Sequence, residues 1–213
     1  MIADEHQKFM ALEDEKRERI LNAAMHEFLN GYKKASTDNI VREAGISKGL
    51  LFHYFGTKEN LYNFLVDYAI DIVQVEYIDL INVRQQDILD SIWQLSLLKQ
   101  DLSRRFPTIF EFLTRVYIDE KDCPSKEQLE RFYAVRTKMI QDVYSNCDKS
   151  LFREDIPFEK AMAIISLTLE GYSQQKVNQL KHVHAAEMVV ENYDVYLAEL
   201  KEHLDILRKV FYK

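Results

Sequence analysis

The chain is poor in residues that break regular structure and in residues that cross-link it. Its 213 residues include 5 glycines, 3 prolines and 2 cysteines. So few turn formers favour long helices over many short strands. The two cysteines, Cys123 and Cys147, cannot build a disulfide framework and lack the paired spacing of a zinc site. We therefore expect an all-α protein of a reducing compartment, with no bound metal.

Long apolar segments and catalytic motifs are missing as well. No run of 18 apolar residues occurs, which argues against a membrane span. The segment from Met1 to Arg19 is charged, unlike a signal peptide. We find no nucleophile elbow, glycine-rich phosphate loop or paired Cys/His pattern. These absences predict a cytoplasmic protein that is not an enzyme, has no catalytic residues or cofactor, and does not contact a membrane.

The charge of the chain is unevenly distributed. The formal net charge is −7, which on its own argues against a nucleic-acid partner. Residues 16–60, however, contain eight lysines and arginines against five acids, a local net charge of +3. Because screening confines electrostatic fields to about 10 Å at 0.1 M salt, a basic segment of an acidic protein can still bind phosphates. The charge pattern is compatible with DNA binding but is weak evidence for it.

The turn-forming residues divide the chain into two parts. Four of the five glycines lie between residues 31 and 56, and all three prolines lie beyond residue 100. This division predicts short helices with tight turns first and long helices afterwards. We place a boundary near residue 75, between an N-terminal domain at 14–74 and a C-terminal helical domain at 75–213. About nine helices are expected, near residues 15–30, 37–44, 48–55, 58–75, 86–103, 106–118, 125–146, 157–180 and 186–211.

The strongest functional pattern lies in residues 36–58. Two short predicted helices, 37–44 and 48–55, have Ser36 and Ser47 as their predicted N-caps and are separated by a turn of about three residues that contains Gly45. The spacing predicts an apolar contact between these helices and the first helix, formed by Ile40, Ala44, Ile46, Leu51 and Phe55. This arrangement is typical of the helix-turn-helix, whose second helix enters the major groove of DNA. We therefore expect an N-terminal three-helix DNA-binding domain.

The outer side of the second short helix carries residues suited to a DNA surface. Its apolar and aromatic side chains would be unfavourable in water alone but can touch thymine methyl groups. Gly49 costs a helix about 1 kcal/mol relative to alanine, but it lets the backbone approach DNA closely. Lys48 and His53 can donate hydrogen bonds to base edges or phosphates. The predicted DNA-binding residues are Ser36, Thr37, Ser47, Lys48, Gly49, Leu50, Phe52, His53, Tyr54 and Lys58.

Two other interpretations of this pattern remain open. Any helical protein could begin with three helices and a glycine turn, and Phe52 or Tyr54 could pack into a neighbouring helix. The chain could also be a ligand-binding or protein-binding helical module that has lost DNA activity. An enzyme is less favoured than either, because no convergent set of acids and bases is found.

The sequence from residue 45 to residue 61, GISKGLLFHYFGTKENL, resembles the signature of the tetracycline-repressor (TetR/AcrR) family. Residues 23–28 and 36–44 match that family in spacing. The resemblance covers about residues 16–70, a third of the chain. It is specific, because the cap, the turn glycine, the aromatic pair and the following lysine all fall in register.

The resemblance implies a role for several residues of this sequence. The recognition helix would be Lys48–Phe55, with phosphate contacts from Thr37, Tyr54 and Lys58. Leu50 and Phe52 occupy positions where members more often carry threonine and tyrosine. The loss of two hydroxyls changes the expected base contacts, but it does not argue against DNA binding.

For the remaining two-thirds of the chain, the resemblance implies dimerisation and a small-molecule pocket. The expected homodimer forms through the last two helices, about residues 157–211, and binds a palindromic double-stranded DNA operator. Their apolar stripes could instead serve only to close the monomer core. The expected function is that of a repressor released by a small apolar or aromatic effector. For each candidate pocket residue taken alone, ordinary core packing is favoured over ligand contact, and the pocket is expected of the set as a whole. The candidates are Trp93, Phe110, Thr114, Tyr117, Met139, Thr168 and Tyr172.

Overall fold

The computed structural model contains ten α-helices within its described residues, and these residues form no β-strand. It describes residues 2–78, 87–118, 125–145, 147–180 and 193–213. The predicted all-α class is therefore confirmed. The helices are α1 (Ile2–Met10), α2 (Asp14–Phe28), α3 (Thr37–Ala44), α4 (Lys48–Phe55), α5 (Lys58–Ile78), α6 (Ile88–Arg105), α7 (Pro107–Ile118), α8 (Lys126–Ser145), α9 (Phe158–Leu180) and α10 (Tyr193–Phe211).

The tenth helix is one that the sequence pattern did not predict. Helix α1 precedes the first expected helix and is followed by a short turn before Asp14. Its sequence is mostly polar, and the apolar residue near its end, Phe9, is completely buried. Among the side chains of residues 6–10, which the structure describes, only Phe9 is buried, and one buried side chain gives no periodic pattern that would predict a helix.

The chain folds into two compact units. The first comprises residues 1–75 and 106–133, and the second comprises residues 76–105 and 134–213. The first unit thus contains α1 to α4, most of α5, all of α7 and the first part of α8. The division of function between residues 14–74 and 75–213 stays a prediction.

In the first unit, the short helices bury four of the five side chains that the spacing predicted, and the fifth, Ile46 in the turn, is half-buried. Ile40 and Ala44 of α3 and Leu51 and Phe55 of α4 are all at most 2% exposed. Burying a side chain such as Leu51 contributes roughly 1.5–3 kcal/mol relative to leaving it in water. The four residues therefore hold α3 and α4 against the rest of the unit, and the opposite faces of the two helices remain accessible.

In the second unit, a core is built mainly from α6, α9 and α10. The side chains of Leu200, Leu204 and Leu207 lie in one cluster with Ile88 and Ile165. The chain end is fixed by two backbone hydrogen bonds, in which residue 153 donates to the carbonyl of residue 211 (2.9 Å) and residue 213 donates to that of residue 151 (3.1 Å). Helices α9 and α10 are thus held through their inner faces.

Candidate nucleic-acid interface

The turn between α3 and α4 is built on a glycine in the left-handed region. Gly45 has φ 64° and ψ 39°, a conformation that costs other residues about 1–2 kcal/mol. The amide of Ile46 donates to the carbonyl of Val41 at 3.0 Å, which closes the end of α3. The guanidinium of Arg19 in α2 donates to the carbonyl of Ala44 at 2.8 Å. The exit from α3 is therefore fixed by its own turn and by the preceding helix.

Helix α4 begins at the N-cap that the sequence predicted. The hydroxyl of Ser47 accepts a hydrogen bond from the amide of Leu50 at 3.2 Å. Such a cap stabilises a helix by about 1 kcal/mol, which matters for a helix of two turns. The cap and the glycine turn together set the direction of the α4 axis relative to α3.

Helix α3 is capped differently from the expectation. Ser36 is the N-cap residue, but its side chain makes no capping hydrogen bond. The carboxylate of Glu27 in α2 accepts from the amide of Ser36 at 2.8 Å and from the side chain of Asn39 at 3.2 Å. Glu27 is 9% exposed. A negative charge at a helix N-terminus is favourable, so α2 supplies the cap of α3.

None of the ten predicted DNA-binding residues is completely buried. Ser47, Lys48, Gly49 and His53 are exposed, and the other six are half-buried. The accessible part of α4 therefore combines a charged residue, an imidazole, a glycine and the edges of larger apolar rings. The half-buried six are Ser36, Thr37, Leu50, Phe52, Tyr54 and Lys58.

Lys48 is paired with an acid of the preceding helix. Its ammonium lies 2.8 Å from the carboxylate of Asp38 in α3, and both side chains are more than half exposed. An exposed pair of this kind contributes at most about 1 kcal/mol. A phosphate or a base edge can therefore replace Asp38 as the partner of Lys48 at little cost.

Lys58 lies deeper than the expected phosphate contact. Its ammonium donates to the carbonyl of Ala35 at 2.6 Å and lies 4.8 Å from the centre of the Tyr32 ring. Burial lowers the pKa of Lys58, against the opposing effect of the nearby Glu27 charge. Lys58 thus ties the start of α5 to the segment before α3, and its contact with phosphate stays a prediction.

The candidate pocket residues are divided between the two units. Phe110, Thr114 and Tyr117 belong to α7 in the first unit, and Trp93, Thr168 and Tyr172 belong to the second. The side chain of Met139 lies outside the described residues. The ligand pocket therefore stays a prediction.

Three of these candidates use their hydroxyls within their own unit. Thr114 donates to the carbonyl of Phe110 at 2.7 Å, and Thr168 donates to that of Ile164 at 2.8 Å. The hydroxyl of Tyr172 in α9 donates to the carbonyl of Tyr196 in α10 at 3.0 Å. Tyr172 is 6% exposed and belongs to the core. These contacts favour a packing role for Tyr172 over a place in a pocket wall.

Two kinds of site are not found in the described part of the chain. No cluster of three or more histidines, cysteines, aspartates or glutamates lies close enough to hold a metal ion there. None of the helices within these ranges has the length and apolar composition needed to cross a bilayer.

Residues 20–64 match the family model described as bacterial regulatory proteins, tetR family. The matched segment begins in α2 and ends in α5, so it contains the complete turn between α3 and α4. A comparison with curated proteins found no match in sequence.

Solved structures of transcription regulators share the fold over nearly the whole chain. A TetR family transcriptional regulator from Chloroflexus aurantiacus J-10-FL is 17% identical with a TM-score of 0.65, covering 97% of this chain and 98% of that one. The ketosteroid transcriptional regulator KstR2 of Mycobacterium tuberculosis is 18% identical with a TM-score of 0.60, covering 95% and 97%. A TetR family transcription regulator from Marinobacter aquaeolei VT8 is 16% identical with a TM-score of 0.59, covering 94% and 97%.

Proposed function

We propose that this chain, whose residues 20–64 match the TetR family of bacterial regulatory proteins, is a member of that family and a repressor that binds a palindromic operator as a homodimer. Proteins of this family are DNA-binding transcription regulators and not enzymes.

The observation that carries the proposal is the accessible face of α4. A helix capped by Ser47 and oriented by Gly45 presents Lys48, Gly49 and His53 to its surroundings. A recognition helix of a helix-turn-helix contacts base edges with the residues near its N-terminus. We assign base contacts to Lys48 and His53. We assign phosphate contacts to Thr37, Lys58 and the hydroxyl of Tyr54.

The outer faces of α9 and α10 support a homodimer. Ile164 and Leu167 of α9 are exposed, and so are Val195, Ile206 and Val210 of α10. Leu167 and Ile206 are 68% and 60% exposed, and covering such large apolar side chains removes apolar surface from water. A second copy of the same two helices would cover them symmetrically. Two recognition helices about 34–36 Å apart would then read successive major grooves.

Release by a ligand requires that the dimer has two conformations, only one of which binds DNA. A ligand that binds better to a conformation with a different spacing of the two α4 helices lowers the affinity for DNA. A coupling of 1–3 kcal/mol corresponds to a 5- to 150-fold loss of operator affinity. Since the candidate pocket residues are mainly aromatic and apolar, an apolar or aromatic compound is the proposed effector.

A gel-shift titration on the DNA upstream of the protein's own gene, at two salt concentrations, tests the DNA assignment. We expect specific retardation that weakens as salt rises, because phosphate contacts release counterions. Tyr54→Phe combined with Lys58→Ala should weaken binding to all DNA sequences, whereas Lys48→Ala should change the preferred sequence. Lys138→Ala, an exposed lysine of α8, is the matched control. Unchanged binding by the first two variants would contradict the assigned contacts.

The direction of regulation needs a separate measurement. Purified protein added to transcription in vitro from a promoter that contains the bound site should lower the amount of transcript. An increase would show activation and would overturn the proposal of repression. A saturating compound that leaves the affinity for the site unchanged would exclude that compound as an effector.

A further inference from the structure

Helix α1 is packed directly on the recognition helix. The ring of Phe9 is completely buried and meets the rings of Tyr54 and Phe55 of α4 edge-on, with centroid distances of 5.6 and 4.9 Å. It also meets Phe64 of α5 at 5.5 Å. The imidazole of His6, one turn earlier, lies 4.7 Å from the Phe64 ring. Helix α1 therefore reaches both α4 and the helix that follows it.

A second contact fixes the end of α1 to α2. The guanidinium of Arg17 donates to the carbonyls of Met10 and Leu12 at 3.0 and 3.1 Å. The same group bonds to the carboxylate of Asp14 at 2.7 Å. Free carbonyls at the end of a helix need such donors, and a cation there is also favourable. Helix α1 is thus held at both sides of its last turn, by Phe9 on one side and by Arg17 on the other.

Tyr54 has one side in this cluster and one side accessible. Its ring is half-buried, and its inner edge contacts Phe9 of α1. Edge-to-face contacts between aromatic rings have a preferred geometry, so a ring held this way is restricted in its orientation. The direction of the Tyr54 hydroxyl therefore depends on the position of Phe9.

We propose that Phe9 is a positioning residue for DNA binding, which acts by holding the ring of Tyr54 so that its hydroxyl reaches the DNA backbone. The inference rests on the proposed function, because it takes the DNA contact of Tyr54 from there. It extends the DNA-reading unit beyond residues 20–64, to a helix that the family match does not include. A side chain that is already oriented for its DNA contact loses less conformational entropy on binding. A change that frees this side chain therefore weakens binding even when the fold is intact.

A double-mutant cycle on DNA binding separates positioning from a general loss of stability. The probe is a 30-base-pair duplex selected by the unmodified protein from a random pool, and all variants are compared well below their unfolding temperatures. We expect Phe9→Ala to weaken binding about 5- to 10-fold. In the Tyr54→Ala background, the same change should weaken binding by less than about 2-fold. An equal loss in both backgrounds would overturn the proposal.

The matched control and a conservative variant keep this test sharp. Met10→Ala changes the neighbouring residue of the same helix, whose side chain is 40% exposed, and should leave binding unchanged. If Phe9→Ala does not fold, Phe9→Leu replaces it in the same cycle, because leucine retains the apolar volume but not the ring edge. Equal weakening by Met10→Ala would also overturn the proposal.

A measurement without DNA distinguishes failure of this inference from failure of the proposed function. The full chain is labelled with 3-fluorotyrosine, and the fluorine resonance of Tyr54 is identified by its loss in Tyr54→Phe. Phe9→Ala should shift that resonance, and Met10→Ala should not. An unmoved resonance overturns the positioning role even if DNA binds. If no duplex is selected from the pool, the proposed function fails, and the shift alone decides whether Phe9 holds Tyr54.

Discussion

Helices α4 and α10 both leave apolar side chains accessible, but the two surfaces differ in the residues that lie beside those side chains. On α4, the apolar rings lie beside Lys48, Gly49 and His53. On α10, Ile206 and Val210 form an exposed apolar pair one turn apart. A DNA surface requires donors for phosphates and base edges, whereas the centre of an interface between proteins is poor in charge. The two faces therefore suit two different partners.

The two helices also differ in how they are held. The 19 residues of α10 bury five side chains in the core of the second unit. The 8 residues of α4 bury two, Leu51 and Phe55. A helix of two turns is not stable on its own, so α4 depends on its cap, its glycine turn and the neighbouring α1 and α3. Substitutions in the residues that support α4 should therefore weaken DNA binding. Substitutions in the residues that support α10 should affect dimerisation less.

The largest effect is expected from a charge placed in the apolar face of α10. Ile206→Lys should raise the dissociation constant of the dimer on the order of 100-fold, because a buried unpaired ammonium disrupts the centre of an interface. Sedimentation velocity over a range of concentrations measures the constant. Asp205→Asn, a change at the preceding residue of the same helix, serves as the control. A dimer of unchanged stability would show that this face is not the interface.

The next largest effect concerns the cap of α3. Glu27→Ala leaves the amide of Ser36 without its partner and should lower the free energy of unfolding by about 1–3 kcal/mol. Glu27→Gln keeps an acceptor oxygen and should recover part of the loss. Urea unfolding followed by circular dichroism gives both values. Glu43→Ala, an exposed acid of α3, should change little, and an equal loss there would contradict the specific role of Glu27.

Two glycines of the same motif should respond with opposite signs. Gly49→Ala should raise the free energy of unfolding by about 0.5–1 kcal/mol, while it weakens DNA binding because a methyl group enters the contact surface. Gly45→Ala should lower the free energy of unfolding by about 1–2 kcal/mol, because φ 64° is strained for alanine. Thermal unfolding and gel-shift titration measure the two properties. If Gly49→Ala binds DNA normally, the backbone of α4 does not approach DNA at that residue.

The smallest effect is a dependence on pH in the second unit. Burial would raise the pKa of Asp87, but hydrogen bonds from Arg208, from a backbone amide and from Tyr212 outweigh it and lower the pKa. A folded-state pKa below the unfolded value means that the stabilisation is present above about pH 4 and is lost as the pH falls further.

Asp87→Asn should therefore lower the free energy of unfolding by about 1–2 kcal/mol near pH 7. It should also flatten the loss of stability below about pH 4. Urea unfolding at several pH values between 2.5 and 7 measures both effects. A variant that keeps the acid slope of the unmodified protein would show that Asp87 does not cause it.

The short helices were predicted from the sequence with their bounds, and the reason is local. Helices α3 and α4 are each preceded by a serine and followed by Gly45 or Gly56, whose positive φ angles end them. The inward positions of Leu51 and Phe55 follow from their spacing of four residues. Signals of this kind are contained within a few residues, so they can be recognised without the fold.

Other features depend on contacts between distant residues. Phe9 packs against Tyr54 and Phe55 of α4, which lie more than forty positions later in the sequence. Glu27 replaces the side chain of Ser36 as the cap of α3, although a buried acid in the apolar face of α2 was a signal that could have been noticed. Lys58 donates to Ala35 inside the domain. None of these pairings is encoded in local spacing, which explains why sequence patterns did not reveal them.

The contact between α4 and DNA is tested most directly by photo-crosslinking from His53, which is exposed on α4. A photoreactive amino acid at this position should crosslink to bases in both halves of a DNA site selected from a random pool. The same amino acid in place of the exposed Glu154 of the second unit should not crosslink to that site. Crosslinks from position 154 but not from position 53 would contradict the role of α4 as the recognition helix.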